Sequence, residues 1–302
     1  MKNKIISSID IGTNTITLLV AKINQSKILP LYEKEFITSL GEGLSISKSI
    51  KKDAIDRCLK NLITCKNIIR KYNVEDEFCV ATSALRQAKN KTKIIKKIND
   101  INIYPKIISG AEEANLIGTV VKNEFPLLCK NALIIDIGGG STELIYFKNY
   151  KIEYKRSFEI GSVTLYEKFF SDPINQSNID SCINYINDKF YDITINEKID
   201  FLIGVGGTIT SLSAIYNNIF PYDKKIIHKS KIPKEAFNVL DKKILYNSVL
   251  DRLKIPILKY KRALVIPAGY LIFTFLFKKF FFDEVSVCEK GLKWGVIFNK
   301  LS

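Results

Sequence analysis

The sequence predicts an α/β protein made of two related units, and three observations support this prediction. Apolar strand patterns alternate with helical patterns along the chain. The segment "KIISSIDIGTNTITLLVAKI" has the same order of apolar, acidic and small residues as "ALIIDIGGGSTELIYFKN", which follows about one domain length later. The 302 residues, 46% of them apolar, are sufficient for two hydrophobic cores.

The first half of the chain begins with strand patterns and continues with helices. Residues 4–9 and 15–23 are apolar runs that predict two strands, and residues 28–38 predict a third. Residues 51–72 place apolar side chains at helical spacing, which predicts an amphipathic helix. A short strand is predicted at 77–82.

Residues 82–98 are predicted as a loop that enters a second helix, and residues 103–108 as a strand. The next helix is predicted to begin after Ser109. Ser109 followed by Glu112 is the pattern of a capping box, in which each side chain accepts a hydrogen bond from the other residue's backbone N–H.

The second half repeats this order. Two strands flank "DIGGGSTE", a third is predicted in "KIEYKRSFEI", and residues 200–216 predict a strand, a loop and a helix. The predicted domains are residues 1–125 and 126–302, with the C-terminal helix packing back on the first domain. Because loops at strand ends bind ligands in such sheets, we expect the ligand in a cleft between the two domains.

Three turns of small residues are predicted to bind phosphate. Such turns present backbone N–H groups without side-chain obstruction, and the third also begins a helix, whose dipole favours anions. Three of them on one chain indicate a ligand with several phosphates. The turns consist of Gly12, Thr13, Asn14 and Thr15; of Gly138, Gly139, Gly140, Ser141 and Thr142; and of Gly206, Gly207 and Thr208.

Acidic residues at these turns predict a divalent cation. Asp10 and Asp136 each end a strand beside a phosphate turn, where a bare carboxylate would repel phosphate. Mg²⁺ suits oxygen ligands and bridges phosphates, so both aspartates are candidate metal ligands. Glu143 is a further candidate for the metal or for a metal-bound water. The alternative is that each aspartate only accepts hydrogen bonds from its own turn.

Phosphoryl transfer to water also needs a group that orients or deprotonates the water. Glu112 and Glu113 offer one acid as the base and the other as the helix cap, although two solvated helix-start acids are the alternative. Arg86 follows a predicted strand, and its guanidinium is suited to phosphate. The alternative for Arg86 is a surface position on the second helix.

The bulk composition narrows the function classes. The net charge of +15 favours a polyanionic partner, although all but six of the 46 basic residues are lysine, which also fits compositional drift. Six scattered cysteines and one histidine do not form a zinc site, and no DNA-binding motif is present. The apolar tract 263–277 is predicted as a buried helix, because it is short for a membrane span. We therefore expect a cytoplasmic protein.

Taken together, these motifs resemble the exopolyphosphatase/guanosine pentaphosphate phosphohydrolase family (Ppx/GppA), within the actin-like ATPase superfamily. The resemblance runs nearly end to end, and "SGAEEA" followed by "DIGGGSTEL" is its most specific part. Longer members continue into an HD-type metal domain, and this chain resembles the short, two-domain members. "GLKWGV" departs from the family pattern, which bears on substrate preference.

The resemblance implies two actin-like (RNase H-like) domains, Mg²⁺, and hydrolysis of the terminal phosphate of polyphosphate or guanosine pentaphosphate. It implies that Glu113 is the general base, and that Asp136 and Glu143 bind the metal or position water. It also implies phosphate contacts for Arg86 and the three turns. A homodimer is favoured by the resemblance and by the apolar C-terminal region.

Two other functions remain open from the sequence. The repeat alone also suits a small-molecule kinase that uses ATP. A non-catalytic protein that binds polyphosphate or a guanosine tetra- or pentaphosphate is the second alternative.

Overall fold

The computed structural model describes residues 4–25 and 27–301, and the chain divides into two compact units. Unit 1 consists of Met1–Val120 together with Leu292–Ser302, and unit 2 of Val121–Gly291. The chain therefore passes between the units twice, and its C-terminal segment belongs to unit 1.

Unit 1 contains a five-stranded sheet in the order β3-β2-β1-β4-β5. β1, β2 and β3 are antiparallel neighbours, while β4 is parallel to β1 and β5 is parallel to β4. This order places β1 at the centre of the sheet. The strands are β1 (Lys4–Ile11), β2 (Thr15–Asn24), β3 (Lys27–Ile37), β4 (Asp76–Ala81) and β5 (Lys106–Ile107).

Five helices follow in the first part of the chain, and the long one packs against β2 and buries one face of small and apolar side chains. They are α1 (Leu44–Ser47), α2 (Lys52–Lys71), α3 (Ser83–Gln87), α4 (Lys91–Asn99) and α5 (Gly110–Glu124). Two predictions are corrected. Residues 82–98 contain two helices, and the strand predicted at 103–108 is reduced to β5. Pro105 lacks the N–H that a ladder needs, so pairing begins after it.

Unit 2 contains a six-stranded sheet in the order β10-β11-β9-β6-β7-β8. β6, β7 and β8 are antiparallel neighbours, and β9 and β11 continue the sheet in parallel with β6, so five strands repeat the order of unit 1. β10 is an additional antiparallel edge strand. The strands are β6 (Asn131–Ile137), β7 (Thr142–Lys148), β8 (Lys151–Phe158), β9 (Phe201–Val205), β10 (Lys231–Pro233) and β11 (Glu284–Cys288).

The helices of the second part complete the two units. Those of unit 2 are α6 (Ser162–Phe169), α7 (Gln176–Lys189), α8 (Gly206–Tyr216), α9 (Lys224–Ile227), α10 (Phe237–Leu240), α11 (Val249–Arg252) and α12 (Tyr260–Lys279). The last helix, α13 (Leu292–Leu301), belongs to unit 1. Gly295 allows its close approach to α5, since a Cβ there would lie 2.5 Å from the carbonyl oxygen of Leu116.

α12 is the central helix of the unit 2 core, as its apolar sequence predicts. Most of its side chains are buried, and it packs against α6, α7 and α8. Among the described residues, it is the one helix that is long and apolar enough to cross a membrane, yet 72% of its most apolar stretch is buried within the protein. The prediction of a buried helix at 263–277 is confirmed.

Candidate functional site

The turn between β1 and β2 is closed by its own backbone and clamped by the segment after β3. The amide of Gly12 donates to the carbonyl of Thr15 at 2.9 Å, and a Cβ on Gly12 would lie 3.0 Å from that oxygen. The carbonyl of Thr13 accepts from the amide of Gly41 at 2.8 Å, and the carbonyl of Asn14 accepts from two further amides. Backbone hydrogen bonds therefore hold this turn on both sides.

The side chain of Asn14 carries a buried donor at this turn. Asn14 is 7% exposed, and its Oδ1 accepts a long hydrogen bond of 3.4 Å from Ser39. Within residues 4–25 and 27–301, its buried Nδ2 has no hydrogen-bond partner. Buried donors are almost always bonded, so this atom fits a role in binding an anion.

The turn between β6 and β7 has the same construction in unit 2. The amide of Gly138 donates to the carbonyl of Ser141 at 3.0 Å. The carbonyls of Gly138 and Gly139 accept from the first amides of α6, with Val163 N at 2.8 Å from Gly139 O. A Cβ on Gly161 would lie 2.5 Å from the carbonyl carbon of Gly139, so the turn and α6 touch through backbone.

These bonds point the carbonyls of Gly138 and Gly139 toward the first amides of α6. In the part of the chain that the structure describes, the amides of Gly139 and Gly140 donate no hydrogen bond to protein. Successive amides of this kind form a concave anion-binding site. Two threonines predicted to contact phosphate use their side chains elsewhere. The hydroxyl of Thr142 donates to Ile160 O at 2.7 Å, and the Thr208 side chain packs against Gly269.

Asp136 and Glu143 lie directly opposite each other on β6 and β7. Glu143 is 1% exposed, and its Oε1 accepts from the hydroxyl of Ser157 at 2.7 Å. In unit 1 the equivalent pair is Asp10 opposite Thr17, so the repeat retains the aspartate but not the glutamate. The two carboxylates of unit 2 are an oxygen donor set of the kind that suits Mg²⁺.

The Asp136 carboxylate also contacts the third predicted turn. Gly206 begins α8 with φ of 86°, a backbone conformation that favours glycine. A Cβ on Gly206 would lie 2.5 Å from Asp136 Oδ1. The structure therefore brings the predicted metal ligand and one predicted phosphate turn together within unit 2.

Arg262 is a candidate that the sequence reasoning did not assign to the site. It lies in the first turn of α12, and its guanidinium lies over Gly207, where a Cβ would be 2.5 Å from Nη2. A guanidinium beside the N-terminus of α8 suits phosphate oxygens. The available signal was the scarcity of arginine, because only six residues of the chain are Arg.

Arg86 and Glu113 form a largely buried ion pair in unit 1. Nη1 of Arg86 lies 3.0 Å from Oε2 of Glu113 and also donates to the carbonyl of Ile108 at 3.1 Å. Glu113 is 8% exposed, and this burial raises the pKa of its carboxyl, while the charge of Arg86 opposes the rise. A carboxylate with a raised pKa is suited to accept a proton near neutral pH.

Glu112 has a different environment from its neighbour. Its Oε2 accepts from the amide of Ser109 at 2.8 Å, and its own amide donates to Ser109 Oγ at 3.2 Å, which confirms the predicted capping box. Lys106 pairs with it at 2.7 Å, and this hydrogen bond, together with the bonds from Ser109, lowers its pKa to about 2. The structure thus gives Glu112 a capping role, and its part in catalysis stays a prediction.

A metal site made of protein side chains alone is not indicated among the described residues. Among the described residues, no group of three or more His, Cys, Asp or Glu side chains could hold a metal ion. Mg²⁺ is commonly held by one or two carboxylates together with substrate phosphates and water. Asp136 with Glu143 fits that mode.

Comparisons with known proteins find similar sequences over nearly the whole chain. The sequence matches the Ppx/GppA phosphatase family over residues 19–302. It is 34% identical, over 97% of its length, to a bifunctional 3-dehydroquinate synthase/phosphatase of Fusobacterium nucleatum, of which it covers 46%. It is 28% identical to a guanosine-5'-triphosphate,3'-diphosphate pyrophosphatase of Vibrio campbellii, matching 97% of this chain and 58% of that protein. The chain thus spans about half the length of these two curated relatives.

Solved structures confirm the predicted fold class. The crystal structure of an exopolyphosphatase from Cytophaga hutchinsonii matches with a TM-score of 0.93 and 29% identity, covering 99% of this chain and 98% of that one. The α/β architecture, with two units whose sheets share one order of five strands, is therefore the fold of this chain.

Proposed function

Since the chain belongs to the Ppx/GppA phosphatase family, we propose that it hydrolyses the terminal phosphoanhydride bond of inorganic polyphosphate or guanosine pentaphosphate. The single observation that carries the proposal is the environment of Glu113, a buried carboxyl with a raised pKa that Arg86 holds in place. The names of similar proteins support it, because one is an exopolyphosphatase and another acts on guanosine-5'-triphosphate,3'-diphosphate.

In this proposal Glu113 is the general base. It accepts a proton from a water molecule as the water oxygen attacks the terminal phosphorus. The new P–O bond forms as the bridging P–O bond breaks, and the bridging oxygen leaves with the shortened chain. The products are orthophosphate and a substrate one phosphate shorter. Arg86 keeps the Glu113 carboxylate in position and adds positive charge beside the phosphate.

Each unit presents turns whose donors are proposed to bind phosphate. The amides of Gly139 and Gly140 and the Nδ2 group of Asn14 donate to phosphate oxygens, and Arg262 contributes a positive charge at the turn that begins α8. The amide donors of the turns are fixed before substrate binds, because backbone bonds hold the turns. Fixed donors stabilise the charge that develops during transfer.

Asp136 and Glu143 would hold Mg²⁺ in this proposal, and Asp10 is the third candidate. The fit rests on the donor set, because two carboxylates face each other across β6 and β7 beside the glycine turn. A bound Mg²⁺ would neutralise charge on the phosphate oxygens. Ser157 orients the Glu143 carboxylate through its hydroxyl.

Phosphate release by the purified protein tests the proposal. Wild type and Glu113→Gln are incubated with Mg²⁺ and, separately, with short polyphosphate, long polyphosphate and guanosine pentaphosphate. We expect orthophosphate from at least one substrate, with the variant slower by orders of magnitude. Transfer of phosphate from ATP to an acceptor, with none released from these substrates, would identify a kinase instead. Binding without any release would identify a non-catalytic binding protein.

A further inference from the structure

A cluster of lysines forms on unit 1 from two segments that are distant in sequence. The amide of Lys89 donates to the carbonyl of Lys48 at 2.9 Å. The Asn90 side chain accepts from the amide of Ile50 at 3.0 Å and donates to its carbonyl at 2.9 Å. These bonds hold the segment before α2 beside the segment that begins α4. We define the lysine surface as the exposed side chains of Lys48, Lys51, Lys52, Lys89, Lys93 and Lys97.

The positive charge of this surface is not balanced by ion pairs. Among the described residues, none of its six lysines has a carboxylate oxygen within 4.0 Å, although Asp53 lies in the first turn of α2. Lys93 and Lys97 lie one turn apart on α4, where like charges repel. Such repulsion lowers stability, so this distribution favours a role in binding anions over a role in folding.

The position of Lys48 supports the same interpretation. Its φ is 57°, a left-handed conformation that glycine or asparagine usually provides at the end of a helix. The chain instead places a long cationic side chain there. It remains exposed beside the backbone bond to Lys89.

Lys91 links the segment that carries part of the lysine surface to the ion pair that the proposed function assigns to catalysis. Lys91, in the first turn of α4, donates from Nζ to the carbonyl of Arg86 at 3.2 Å. Arg86 in turn contacts Glu113 at 3.0 Å. Lys91 lies between Lys89 and Lys93 in sequence, so the segment that begins α4 connects the lysine surface to Arg86 and Glu113 within unit 1.

The chemistry of the surface favours a polyphosphate chain over nucleic acid. Single-stranded nucleic acids bind where aromatic side chains stack on bases, and residues 41–60 and 81–100 contain no Phe, Tyr or Trp. Lysine supplies point charges without the planar fork by which arginine recognises bases. A row of such charges suits a chain of closely spaced phosphates that carries no bases.

We propose that the lysine surface binds the distal part of a long polyphosphate chain whose terminal phosphate lies at Arg86 and Glu113. This inference rests on the proposed function and deepens it, because it makes long polyphosphate the preferred substrate. A guanosine pentaphosphate or a short polyphosphate lacks the distal phosphates that would reach these lysines.

The test compares two charge-matched triple variants. Lys48→Asn, Lys89→Gln and Lys93→Gln together remove half of the lysine surface, and asparagine tolerates the left-handed backbone at residue 48. The control combines Lys130→Gln, Lys151→Gln and Lys198→Gln, three exposed lysines of unit 2. Circular dichroism melting shows whether each variant is folded.

The experiment measures kcat/KM for long polyphosphate and for inorganic tripolyphosphate, and compares their ratio between variants. We expect this ratio to fall about tenfold in the lysine-surface variant and to stay at the wild-type value in the control. The dependence of log KM for long polyphosphate on log salt should also become shallower, because fewer counterions are released on binding. An unchanged ratio, or an equal fall in the control, overturns the inference.

Direct binding separates this inference from the proposed function. Long polyphosphate and single-stranded RNA are titrated into wild type and both variants, with Mg²⁺ present and no turnover required. Weaker polyphosphate binding by the lysine-surface variant alone supports the inference even if no substrate is hydrolysed. Weaker RNA binding with unchanged polyphosphate binding overturns it.

Discussion

Arg86 and Glu113 come from different helices of unit 1, yet their side chains meet at 3.0 Å between Nη1 and Oε2. The same nitrogen of Arg86 donates to the carbonyl of Ile108, just before α5. The guanidinium therefore fixes the start of α5 and the carboxylate on it together. Burial raises the pKa of Glu113 and the positive charge opposes that rise, so the pair adjusts the basicity of the proposed base.

The first prediction concerns the two neighbouring glutamates. Glu113→Gln should lower kcat by about 10²- to 10⁴-fold, because glutamine accepts no proton, while polyphosphate binding persists. Glu112→Gln should lower the melting temperature only slightly, because glutamine still accepts the bond from Ser109 and only the exposed ion pair with Lys106 is lost, at a cost of about 0–1 kcal/mol. Phosphate release and thermal unfolding measure both effects.

The comparison between these two variants is the control. A loss of turnover in Glu112→Gln as large as that in Glu113→Gln would contradict the assignment of the base to Glu113 alone. Near wild-type turnover in Glu113→Gln would remove the general base from the proposal.

The second prediction concerns pH. The proposed base works only when deprotonated, so kcat/KM rises with pH through the pKa of Glu113, which burial places above its usual value. Arg86→Met removes the charge that opposes this rise. The acidic limb of the profile should therefore move to higher pH, together with a lower plateau. Profiles of kcat/KM between about pH 4 and 9 measure the shift.

Arg86→Lys and Arg70→Met are the matched controls for this experiment. Lysine keeps a positive charge beside Glu113, so the acidic limb of the Arg86→Lys profile should move less than that of Arg86→Met. Arg70 is exposed near the end of α2, and its loss should leave the limb in place. An acidic limb that is identical in wild type and Arg86→Met would show that another group titrates.

The third prediction concerns the hydroxyl that holds Glu143. Ser157 Oγ donates to Glu143 Oε1 at 2.7 Å, and groups that orient metal ligands typically contribute 10- to 100-fold to metal affinity. Ser157→Ala should therefore raise the Mg²⁺ concentration for half-maximal activity by about tenfold, with kcat at saturating Mg²⁺ less affected. Ser157→Thr, which keeps the hydroxyl, is the control. An unchanged Mg²⁺ requirement in Ser157→Ala would count against Glu143 as a metal ligand.

Local sequence signals predicted much of this structure. The first strands, the amphipathic helix α2 and the cap at Ser109 and Glu112 depend on residues close in sequence, and the structure confirms them. The repeat around Asp10 and Asp136 predicted two related units, and the strand order that their sheets share agrees with that prediction.

Features that depend on distant contacts could not be predicted in this way. Glu112 and Glu113 look alike in sequence, and only packing shows that one is half-exposed with Lys106 and the other is buried with Arg86. Arg262 meets Gly207 across more than fifty residues of chain, which no local pattern indicates. The short strand β5 is different, because its limit was visible in the sequence. Pro105 indicates that strand pairing cannot include it, but the prediction followed the apolar pattern of residues 103–108 instead.

The fourth prediction concerns the glycines of the turn that begins α8. Gly206→Ala should destabilise the protein by about 1–3 kcal/mol, because alanine is strained at φ of 86° and its Cβ would lie 2.5 Å from Asp136 Oδ1. Displacing that carboxylate should also raise the Mg²⁺ requirement. Gly291→Ala is the control, since a Cβ there meets no atom within 4 Å and should change stability by less than about 0.5 kcal/mol.

Gly207→Ala should act differently, because its Cβ would meet the mobile end of Arg262 rather than backbone. The guanidinium can move aside, so the melting temperature should change little while kcat/KM falls about tenfold, in line with the loss of one hydrogen bond to a charged group. If displacement of Arg262 is the cause, Arg262→Ala should give a similar loss, and Gly207→Ala combined with Arg262→Ala should be no worse than Arg262→Ala alone. Additive losses in the double variant would show that Gly207 acts through its backbone approach to substrate and not through Arg262.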